Sequence, residues 1–464
     1  MIKIVGAIFD LAFLLLSEVI TGIFDFISSL VQSRRKTEFN ADFIPADKIL
    51  QRNDPGFCLD GKFCLSIAES HRNALVLGGS GSGKSSTILI NSALLMSHGN
   101  SSLILHDPSH ELRLLVSGVL QKAGYEIKVI DYSDERSECF NPLKRCASIS
   151  DIQKLSSLLV RNALGESKDP FWNKSAEAIL SLFIRYLIFY GAVEYRTLYN
   201  TLHLINVFAG SPERIDKLFV RTKDEKLISE YKAFVAYGDK TLSSIIATAK
   251  ASLSLFSDET IAKITSIDTI EFNEFRDKKV ALFINNNVPD MNYYGALSSL
   301  FFQQFLNEIL VRIPSKSENN IFFLLDEASS LFLPGLSSTI SNIRKYGGGI
   351  MLIYQDYHQL EHIYGVYEAK NISANCYAKV YLPGQPIETC KILETTLGKF
   401  EYEDDKEIRH TRQLMTADEI RMSDKAIALI GNKPPIHAKL HPYYENRKLK
   451  KLTEISPYKA ENIL

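Results

Sequence analysis

Cysteine is scarce in this sequence, and the few cysteines are scattered. Six of them are spread over 464 residues, and neither of the closest pairs, Cys58 with Cys64 and Cys139 with Cys146, has the short spacing of a zinc knuckle. A small secreted domain held by disulfides needs a denser and more regular set of cysteines. The scarcity therefore argues against an extracellular disulfide framework and favours a reduced, cytoplasmic setting.

An excess of charge of either sign is also lacking. Lysine and arginine total 53, aspartate and glutamate total 54, and the formal net charge is −1. A chain whose whole surface attracts nucleic acid is strongly basic, so any such surface here must be local. The most basic stretch runs from Lys433 to Lys451. It forms either a phosphate-tracking patch or, as charge runs more often do, a solvated face.

A clean membrane-spanning run is missing as well. Residues 4–31 are mostly apolar, but three acidic residues interrupt them and a basic cluster ending at Lys36 follows them. Carboxylates are costly at membrane depth, and the order of the charges does not fit a secretory signal. We expect residues 1–36 to form a hydrophobic or amphipathic helix that lies on a membrane or partner, spans the inner membrane with its acids on a partner, or is soluble. In the first two cases the basic cluster predicts that the rest of the chain lies at the cytoplasmic face.

What the sequence does contain is a glycine-rich loop between a strand and a helix. It matches the phosphate-loop pattern G-x-x-x-x-G-K-[ST], after a buried strand at 73–77 and before an apolar helical pattern at 86–96. Glycines let successive backbone N–H groups point at a phosphate, and a helix N-terminus is itself an anion site. The lysine supplies positive charge to the phosphates and the following serine hydroxyl can ligate Mg²⁺. We predict that ATP with Mg²⁺ binds Gly78, Gly79, Ser80, Gly81, Ser82, Gly83, Lys84, Ser85 and Ser86.

A second pattern of phosphate chemistry lies downstream. The apolar run Ile321–Leu325 leads into Asp326 and Glu327, which alone is a weak signal but is strong when a phosphate loop lies upstream. Asp326 is predicted to hold Mg²⁺ together with Ser85, and Glu327 to polarise the attacking water. Gln355 ends the next strand, where a sensor of the γ-phosphate is expected. Arg344, taken alone, fits a solvated helix face.

Strand-like and helix-like segments alternate along much of the chain. Buried strand patterns are predicted at 73–77, 102–106, 126–131, 279–284, 321–326 and 350–355. Such alternation is typical of an α/β fold with a parallel sheet covered by helices on both faces. Helical periodicity alone fills the middle of the chain. We therefore predict a nucleotide-binding domain from residues 37–149 and 276–464, with an all-α insertion at 150–275.

Several landmarks occur in the order found in one family. The sequence resembles the coupling-protein ATPases of type IV secretion and conjugation, the TraG/TraD type, which are relatives of the FtsK/HerA motors with a RecA-like sheet. The resemblance extends over residues 73–444. It rests on the phosphate loop, Asp107-Pro108 with Glu111-Leu112, Phe140–Leu143, Phe171-Trp172, Asp326-Glu327, Arg344 with Tyr346-Gly347, Gln355, Tyr364-Gly365, Asn375, Leu397-Gly398, Arg412–Met415 and Glu419–Arg421.

The resemblance implies more than the residue patterns do. It implies a homohexameric ring that hydrolyses ATP and moves single- or double-stranded DNA, or delivers relaxase–DNA or effector protein to secretion-channel proteins. Arg344 then corresponds to an arginine finger that reaches the neighbouring subunit's nucleotide, and Gln355 to a sensor of nucleotide state. Contact with the inner membrane is expected through residues 4–31.

Two departures from the family pattern leave an alternative open. Ser109 and His110 stand where the family usually has Lys-Gly, and the apolar stretch near the N-terminus is too short for the usual two membrane spans. The alternative is a phosphate-loop ATPase whose nucleotide state gates assembly of a complex, as an adaptor or a phage-defence component, without DNA transport.

Overall fold

A computed structural model describes residues 39–165, 169–286, 288–406 and 408–459. The helix predicted for residues 1–36 lies outside them. In the described part of the chain, none of the helices has the length and apolar character that crossing a bilayer requires. The described residues form two compact units, one of residues 43–389 and 421–459 and a smaller one of residues 39–42 and 390–420.

The strands of the described residues are β1 (Pro55–Cys58), β2 (Cys64–Ser66), β3 (Ala74–Leu77), β4 (Ser101–Asp107), β5 (Glu126–Asp131), β6 (Val280–Asn285), β7 (Asn320–Leu325), β8 (Gly348–Tyr354), β9 (Ala378–Tyr381), β10 (Lys399–Glu403), β11 (Arg409–Gln413), β12 (Ala426–Ile430) and β13 (Ile436–Ala438). In the larger unit they build a nine-stranded sheet in the order β13-β12-β9-β3-β8-β7-β4-β6-β5. The strands from β9 to β5 in that order run parallel.

The strands β12 and β13, at one side of the sheet, do not follow the predicted parallel arrangement. β12 pairs antiparallel with both β9 and β13. The connection from β12 to β13 is only residues 431–435, and a connection that short can join antiparallel strands but cannot cross over to a parallel one. The α/β class is confirmed, whereas the wholly parallel sheet is wrong at this edge.

The helices are α1 (Ile67–Ser70), α2 (Ile90–Met96), α3 (Glu111–Lys122), α4 (Ile149–Leu164), α5 (Pro170–Tyr190), α6 (Leu198–Gly210), α7 (Pro212–Arg221), α8 (Glu225–Val235), α9 (Asp239–Ser252), α10 (Glu259–Ile264), α11 (Glu274–Asp277), α12 (Met291–Ile309), α13 (Leu336–Asn342), α14 (Tyr357–Tyr364), α15 (Val366–Asn375), α16 (Ile387–Leu397), α17 (Ala417–Met422) and α18 (Arg447–Thr453). The described residues between β5 and β6 contain helices α4 to α11 and no strand. The division into separate domains at residues 150 and 276 stays a prediction.

Local capping signals set the helix boundaries in this helical segment. At the start of α4, Ser148 accepts the N–H of Asp151, whose carboxylate accepts the N–H of Ser148, so two donors that the helix cannot satisfy are paired. The helix ends at Gly165, whose φ of +67° suits glycine. The next helix begins with Pro170, which follows Asp169 as its N-cap and loses no hydrogen bond at that position.

Alternate side chains along the strands enter two different hydrophobic cores. In β3, Leu75 and Leu77 belong to the core that includes the helical segment, whereas Ala74 and Val76 belong to the core that includes α2 and α3. Successive side chains of a strand point to opposite faces of the sheet. Both faces of the central sheet are therefore buried, which explains the continuous apolar runs in the sequence.

A cluster of phenylalanines joins α12 to the sheet and to the end of the helical segment. The ring of Phe305 stacks on that of Phe272 with centroids 4.3 Å apart, and it contacts Phe275 at 4.8 Å and Phe323 at 5.7 Å. Phe305 has no exposed surface. It therefore holds together elements that are far apart in sequence.

The region before the phosphate loop contains the antiparallel hairpin of β1 and β2. Asp60 and Gly61 lie in the connection between the two strands. Phe57 and Leu65 are fully buried, but strands of three and four residues are too short to show a period of two. In the smaller unit, β10 and β11 form another antiparallel hairpin, with Lys399 opposite Gln413.

We expect replacement of Phe305 by alanine to lower the free energy of unfolding by about 3–5 kcal/mol, because it removes a buried ring and leaves a cavity. Phe305→Leu, which keeps more of the volume, should lose only about 1 kcal/mol. Chemical denaturation followed by circular dichroism measures both. Phe189→Ala on the exposed surface of α5 is the control. Equal effects of the two Phe305 variants would contradict a packing role for the ring.

Candidate functional site

The predicted site residues follow strands that are neighbours in the sheet. β3 pairs with β8, β8 with β7, and β7 with β4, all in parallel. The carboxyl ends of parallel strands lie along one side of the sheet, called here the carboxyl edge, so the segments that follow the strands meet there. Ligands of open α/β sheets bind at this carboxyl edge. The loop of residues 78–83 follows β3, Gln355 follows β8, Asp326 and Glu327 follow β7, and β4 ends in Asp107.

The glycines of the loop are explained by its backbone. Gly83 has a φ of +91°, and a Cβ added there would lie 3.1 Å from Oγ1 of Thr87. A Cβ on Gly78 would lie 2.5 Å from Oγ of Ser82, which is too close for a real contact. By contrast, a Cβ on Gly79 would meet no heavy atom within 4 Å. The middle of the loop is therefore open around Gly79, whereas the two ends of the loop are packed.

Lys84 reaches back over the loop. Its ammonium group donates hydrogen bonds to the carbonyl oxygens of Gly78 at 2.8 Å and Gly79 at 3.0 Å, and the side chain is buried. The positive charge therefore lies inside the curve of the loop. This is the position predicted for a lysine that binds phosphate.

The helix expected from the apolar pattern at 86–96 is present, and it begins with a wide turn. Residues Lys84–Leu89 form a π-helical turn, in which the N–H of Ile90 donates to the carbonyl of Ser85. The regular helix α2 then begins at Ile90. Turns of this kind occur often at functional sites, and side-chain periodicity over so few residues cannot distinguish them from an α-helix.

Ser85 and Asp326 meet across the sheet edge. The hydroxyl of Ser85 donates to Oδ2 of Asp326 at 3.3 Å, and Oδ1 of Asp326 accepts the N–H of Glu327 at 3.0 Å. Burial, reinforced by the negative charges of Glu327 and Asp107, raises the pKa of Asp326 to about 7. A divalent cation near these two oxygen atoms would offset that repulsion and favour the ionised carboxylate.

A buried histidine, missed in the sequence, holds the backbone of Asp326. The Nδ1 atom of His106 lies 2.6 Å from the carbonyl oxygen of Asp326, and its ring packs edge-on against Phe302. Burial lowers the pKa of His106 to about 4, so the ring is neutral at pH 7 and its Nδ1–H is the donor. The only sequence signal is a polar residue near the end of an otherwise apolar strand.

Glu327 and Gln355 are adjacent because β7 and β8 are adjacent. Nε2 of Gln355 lies 3.5 Å from Oε2 of Glu327. Glu327 has a φ of +43°, in the left-handed region that non-glycine residues seldom adopt and that is found preferentially at functional sites.

Arg344 does not join this cluster. It is exposed, in the 3₁₀-helix Ile343–Tyr346 directly before β8. Gln355 follows the other end of the same strand, whose seven residues span about 20 Å at 3.3 Å per residue. Arg344 therefore lies at the edge of the sheet opposite to the phosphate loop of its own chain.

Asp107 and His110 lie at the turn between β4 and α3. The carboxylate of Asp107 accepts the N–H groups of Leu112 at 3.2 Å and Arg113 at 2.8 Å, so it caps the start of α3. Asn285 also donates to it at 3.1 Å. His110 has a φ of +60°. This is a conformation that glycine, the usual family residue there, adopts without strain.

We expect Glu327→Asn to raise the free energy of unfolding by about 1 kcal/mol, because asparagine tolerates the left-handed region better than glutamate. Loss of the negative charge beside Asp326 acts in the same direction. Chemical denaturation measures the change, and Glu308→Asn on helix α12 is the matched control. An unchanged or lower stability of Glu327→Asn would show that this backbone conformation carries no strain.

Comparisons with known proteins agree with the landmarks in the sequence. The family model described as type IV secretory system conjugative DNA transfer matches residues 25–462. Protein VirD4 of Rhizobium radiobacter is 24% identical over 426 residues, which cover 85% of this chain and 60% of the relative. The probable conjugal transfer protein TraG of Sinorhizobium fredii is 24% identical over 323 residues, which cover 67% of this chain and 49% of the relative. The chain thus spans about half to three fifths of the length of these relatives.

Solved structures share the fold. The conjugative coupling protein TrwBdeltaN70 in complex with sulphate superposes with a TM-score of 0.71 at 18% identity, covering 92% of this chain and 98% of that chain. The plasmid coupling protein TrwB in complex with ADP and Mg²⁺ gives a TM-score of 0.67 at 17% identity, with the same coverage. The resemblance inferred from the sequence landmarks is confirmed. Since the family model matches nearly the whole chain, this protein belongs to the type IV secretory system conjugative DNA transfer family, that of the coupling proteins.

Proposed function

We propose that this chain is an ATP-hydrolysing ring motor of the type IV coupling-protein kind. It binds and translocates DNA, or delivers a relaxase–DNA or protein substrate to a secretion channel. The observation that carries the proposal is the 3.3 Å approach of the Ser85 hydroxyl to the Asp326 carboxylate, directly beside the buried Lys84. A phosphate loop and a metal-binding carboxylate are the two parts that this class of ATPases requires.

The residues present fit a nucleotide with Mg²⁺. Mg²⁺ prefers oxygen ligands and keeps several waters, so it needs only one or two protein groups besides the phosphates. Ser85 and Asp326 supply two such oxygens at one point. The space where a side chain of residue 79 would lie is open, and Lys84 has two carbonyl contacts that it can exchange for phosphate oxygens. TrwB, of the same fold, was solved with ADP and Mg²⁺.

The roles of the remaining site residues follow from their positions. Bound ATP with Mg²⁺ supplies an electrophilic γ-phosphoryl group. The Glu327 carboxylate orients a water molecule toward it and accepts a proton from that water. Gln355, 3.5 Å from Glu327, holds the carboxylate by its amide and responds to the presence of the γ-phosphate. Lys84 neutralises charge on the phosphates.

A ring explains why Arg344 lies so far from the loop. Arg344 lies about 20 Å, the length of β8, from the phosphate loop of its own chain. In a head-to-tail ring, two different surfaces of neighbouring subunits are in contact. Arg344 of one subunit then reaches the phosphates bound by its neighbour. An arginine supplied in trans stabilises the charge that develops during phosphoryl transfer.

DNA is the proposed substrate because of the family and its named members. The family model is described by conjugative DNA transfer, and the relatives include conjugal transfer proteins. Within the chain, α18 has Leu449 buried and Lys448, Lys450 and Lys451 exposed. The basic run thus forms a docked helix with a solvated cationic face, and contact of this face with DNA stays a prediction.

We expect Lys84→Ala to lose nucleotide affinity by tenfold or more, since the variant lacks the positive charge for the β- and γ-phosphates. Binding of a fluorescent ATP analogue with Mg²⁺ to the full chain measures the loss. Lys154→Ala, on the exposed face of α4, is the control and should bind as the wild type does. Unchanged binding by Lys84→Ala would refute the site.

We expect ATP turnover per chain to rise steeply with protein concentration and to increase further with single- or double-stranded DNA. Arg344→Ala should lose turnover by about 10³-fold or more, as for other arginine fingers, and keep its nucleotide affinity. An equimolar mixture of Arg344→Ala and Lys84→Ala should regain activity. In it, a Lys84→Ala chain supplies Arg344 and an Arg344→Ala chain supplies the intact phosphate loop. Turnover independent of concentration, of DNA and of Arg344 would instead favour the gating ATPase.

A further inference from the structure

A buried arginine lies at the same edge of the sheet as Arg344. Arg276 belongs to α11, the short helix that ends the helical segment directly before β6. Its side chain is only 7% exposed. Among the ion pairs of the described residues, none includes Arg276. A buried guanidinium without a carboxylate partner needs other acceptors.

The acceptors are backbone carbonyls around the start of β8. Nη1 of Arg276 donates to the carbonyl oxygens of Asn319 at 2.8 Å and Gly347 at 3.1 Å, and Nη2 donates to that of Tyr346. Burial lowers the pKa of Arg276 to about 10, so it stays charged at pH 7. Three carbonyls at different positions suit the planar fork of arginine and not the single ammonium group of lysine.

Two of these carbonyls belong to the segment that carries Arg344. Tyr346 is the last residue of the 3₁₀-helix Ile343–Tyr346, and the N–H of Gly347 donates to the carbonyl of Arg344 at 3.2 Å. The carbonyl of Gly347 already accepts the N–H of Ile321 at 3.0 Å as part of the sheet. The guanidinium therefore adds a second, charged contact at the point where the helix joins the strand.

The glycine at this joint is explained by the same contact. Gly347 has a φ of +62°. A Cβ there would lie 2.9 Å from Cγ of Pro314 and 3.2 Å from Nη1 of Arg276. The absence of a side chain lets the guanidinium approach the backbone. The helix, the turn and the arginine thus form one packed unit.

We propose that Arg276 is a positioning residue for Arg344: it fixes the 3₁₀-helix in the orientation from which Arg344 reaches the neighbouring subunit's nucleotide. It also ties that helix to the end of the helical segment, since α11 leads directly into β6. This inference rests on the proposed role of Arg344 as an arginine finger. Arg276 itself does not touch the nucleotide.

The proposal predicts a specific kinetic signature. In Arg276→Met the carbonyls of Tyr346 and Gly347 lose their charged donor, and the 3₁₀-helix can shift. A displacement of about 1 Å at a catalytic group costs on the order of 10²-fold in rate. We therefore expect kcat for ATP to fall by about 10–100-fold with KM nearly unchanged, because the nucleotide binds at the opposite edge of the same chain.

Subunit mixing separates positioning from folding. Arg276→Met keeps its own phosphate loop but presents a misplaced finger, whereas Lys84→Ala keeps its finger but lacks the lysine. In an equimolar mixture, a Lys84→Ala chain beside an Arg276→Met chain completes a site, and turnover should recover to about a quarter of the wild-type value if chains assort randomly around a ring. Arg276→Lys repeats the test with a smaller change, should Arg276→Met fail to fold.

The matched control is Arg196→Met. Arg196 also donates to a backbone carbonyl, that of Gly191, but it lies in the helical segment between α5 and α6. Its replacement should leave kcat unchanged. A fall in kcat for Arg196→Met equal to that for Arg276→Met would indicate a general effect of losing such a contact and would overturn the proposal.

The mixture of Arg344→Ala with Lys84→Ala distinguishes a failure of the proposed role of Arg276 from a failure of the arginine finger itself. Recovery in both mixtures supports the positioning role. Recovery with Arg344→Ala but not with either folded Arg276 variant, or wild-type kcat in those variants, overturns the role of Arg276 and leaves the finger standing. Recovery in neither mixture rejects the arginine finger itself, and with it the role of Arg276.

Discussion

The contact between the Ser85 hydroxyl and the Asp326 carboxylate is the constraint on which the proposed chemistry depends. The two residues are 241 positions apart in the chain. They meet because β3 and β7 both pair with β8 in parallel, so that all three strands end at one edge. His106 then fixes the backbone of Asp326, and Gln355 lies beside Glu327 because its strand lies between the other two. A change in strand order would separate every one of these groups.

The length of strand β8 also separates two groups of residues of the proposed active site. The groups proposed to bind phosphate and metal lie at the carboxyl edge, whereas Arg344 and the buried Arg276 lie at the amino edge of β8, about 20 Å away. A single chain therefore carries two incomplete halves of the proposed active site. In the proposed ring, the half of one subunit would meet that of the next, and hydrolysis would then depend on the neighbour. The helical segment adjoins the amino edge through α11, whose Arg276 contacts the segment that carries Arg344.

Prediction from the sequence succeeded where a physical signal is local. The central strands were recognised because both of their faces are buried. The phosphate-loop pattern, whose nucleotide site stays a prediction, is recognisable because it requires glycine, lysine and serine at set spacings. Prediction failed where the signal was short or the cause distant. The β1–β2 hairpin has too few residues for a pattern, and the apolar run of β12 does not reveal that the strand is antiparallel. The side-chain spacing of the π-helical turn at Lys84 cannot be distinguished from that of an α-helix. The roles of His106 and Arg276 depend on carbonyl groups of remote segments.

The sequence by itself determined the class of fold, because this follows from periodicity along the chain, and it indicated the family through the order of its landmarks. The residues that it proposes for phosphate and metal stay a prediction. Only the tertiary structure decided which of those residues meet. Strand order brought Ser85 to Asp326 and Gln355 to Glu327, and it placed Arg344 at the opposite edge. The physical reason is that periodicity reports whether a segment is buried but not which strand becomes its neighbour, and that choice is made by packing between distant parts of the chain.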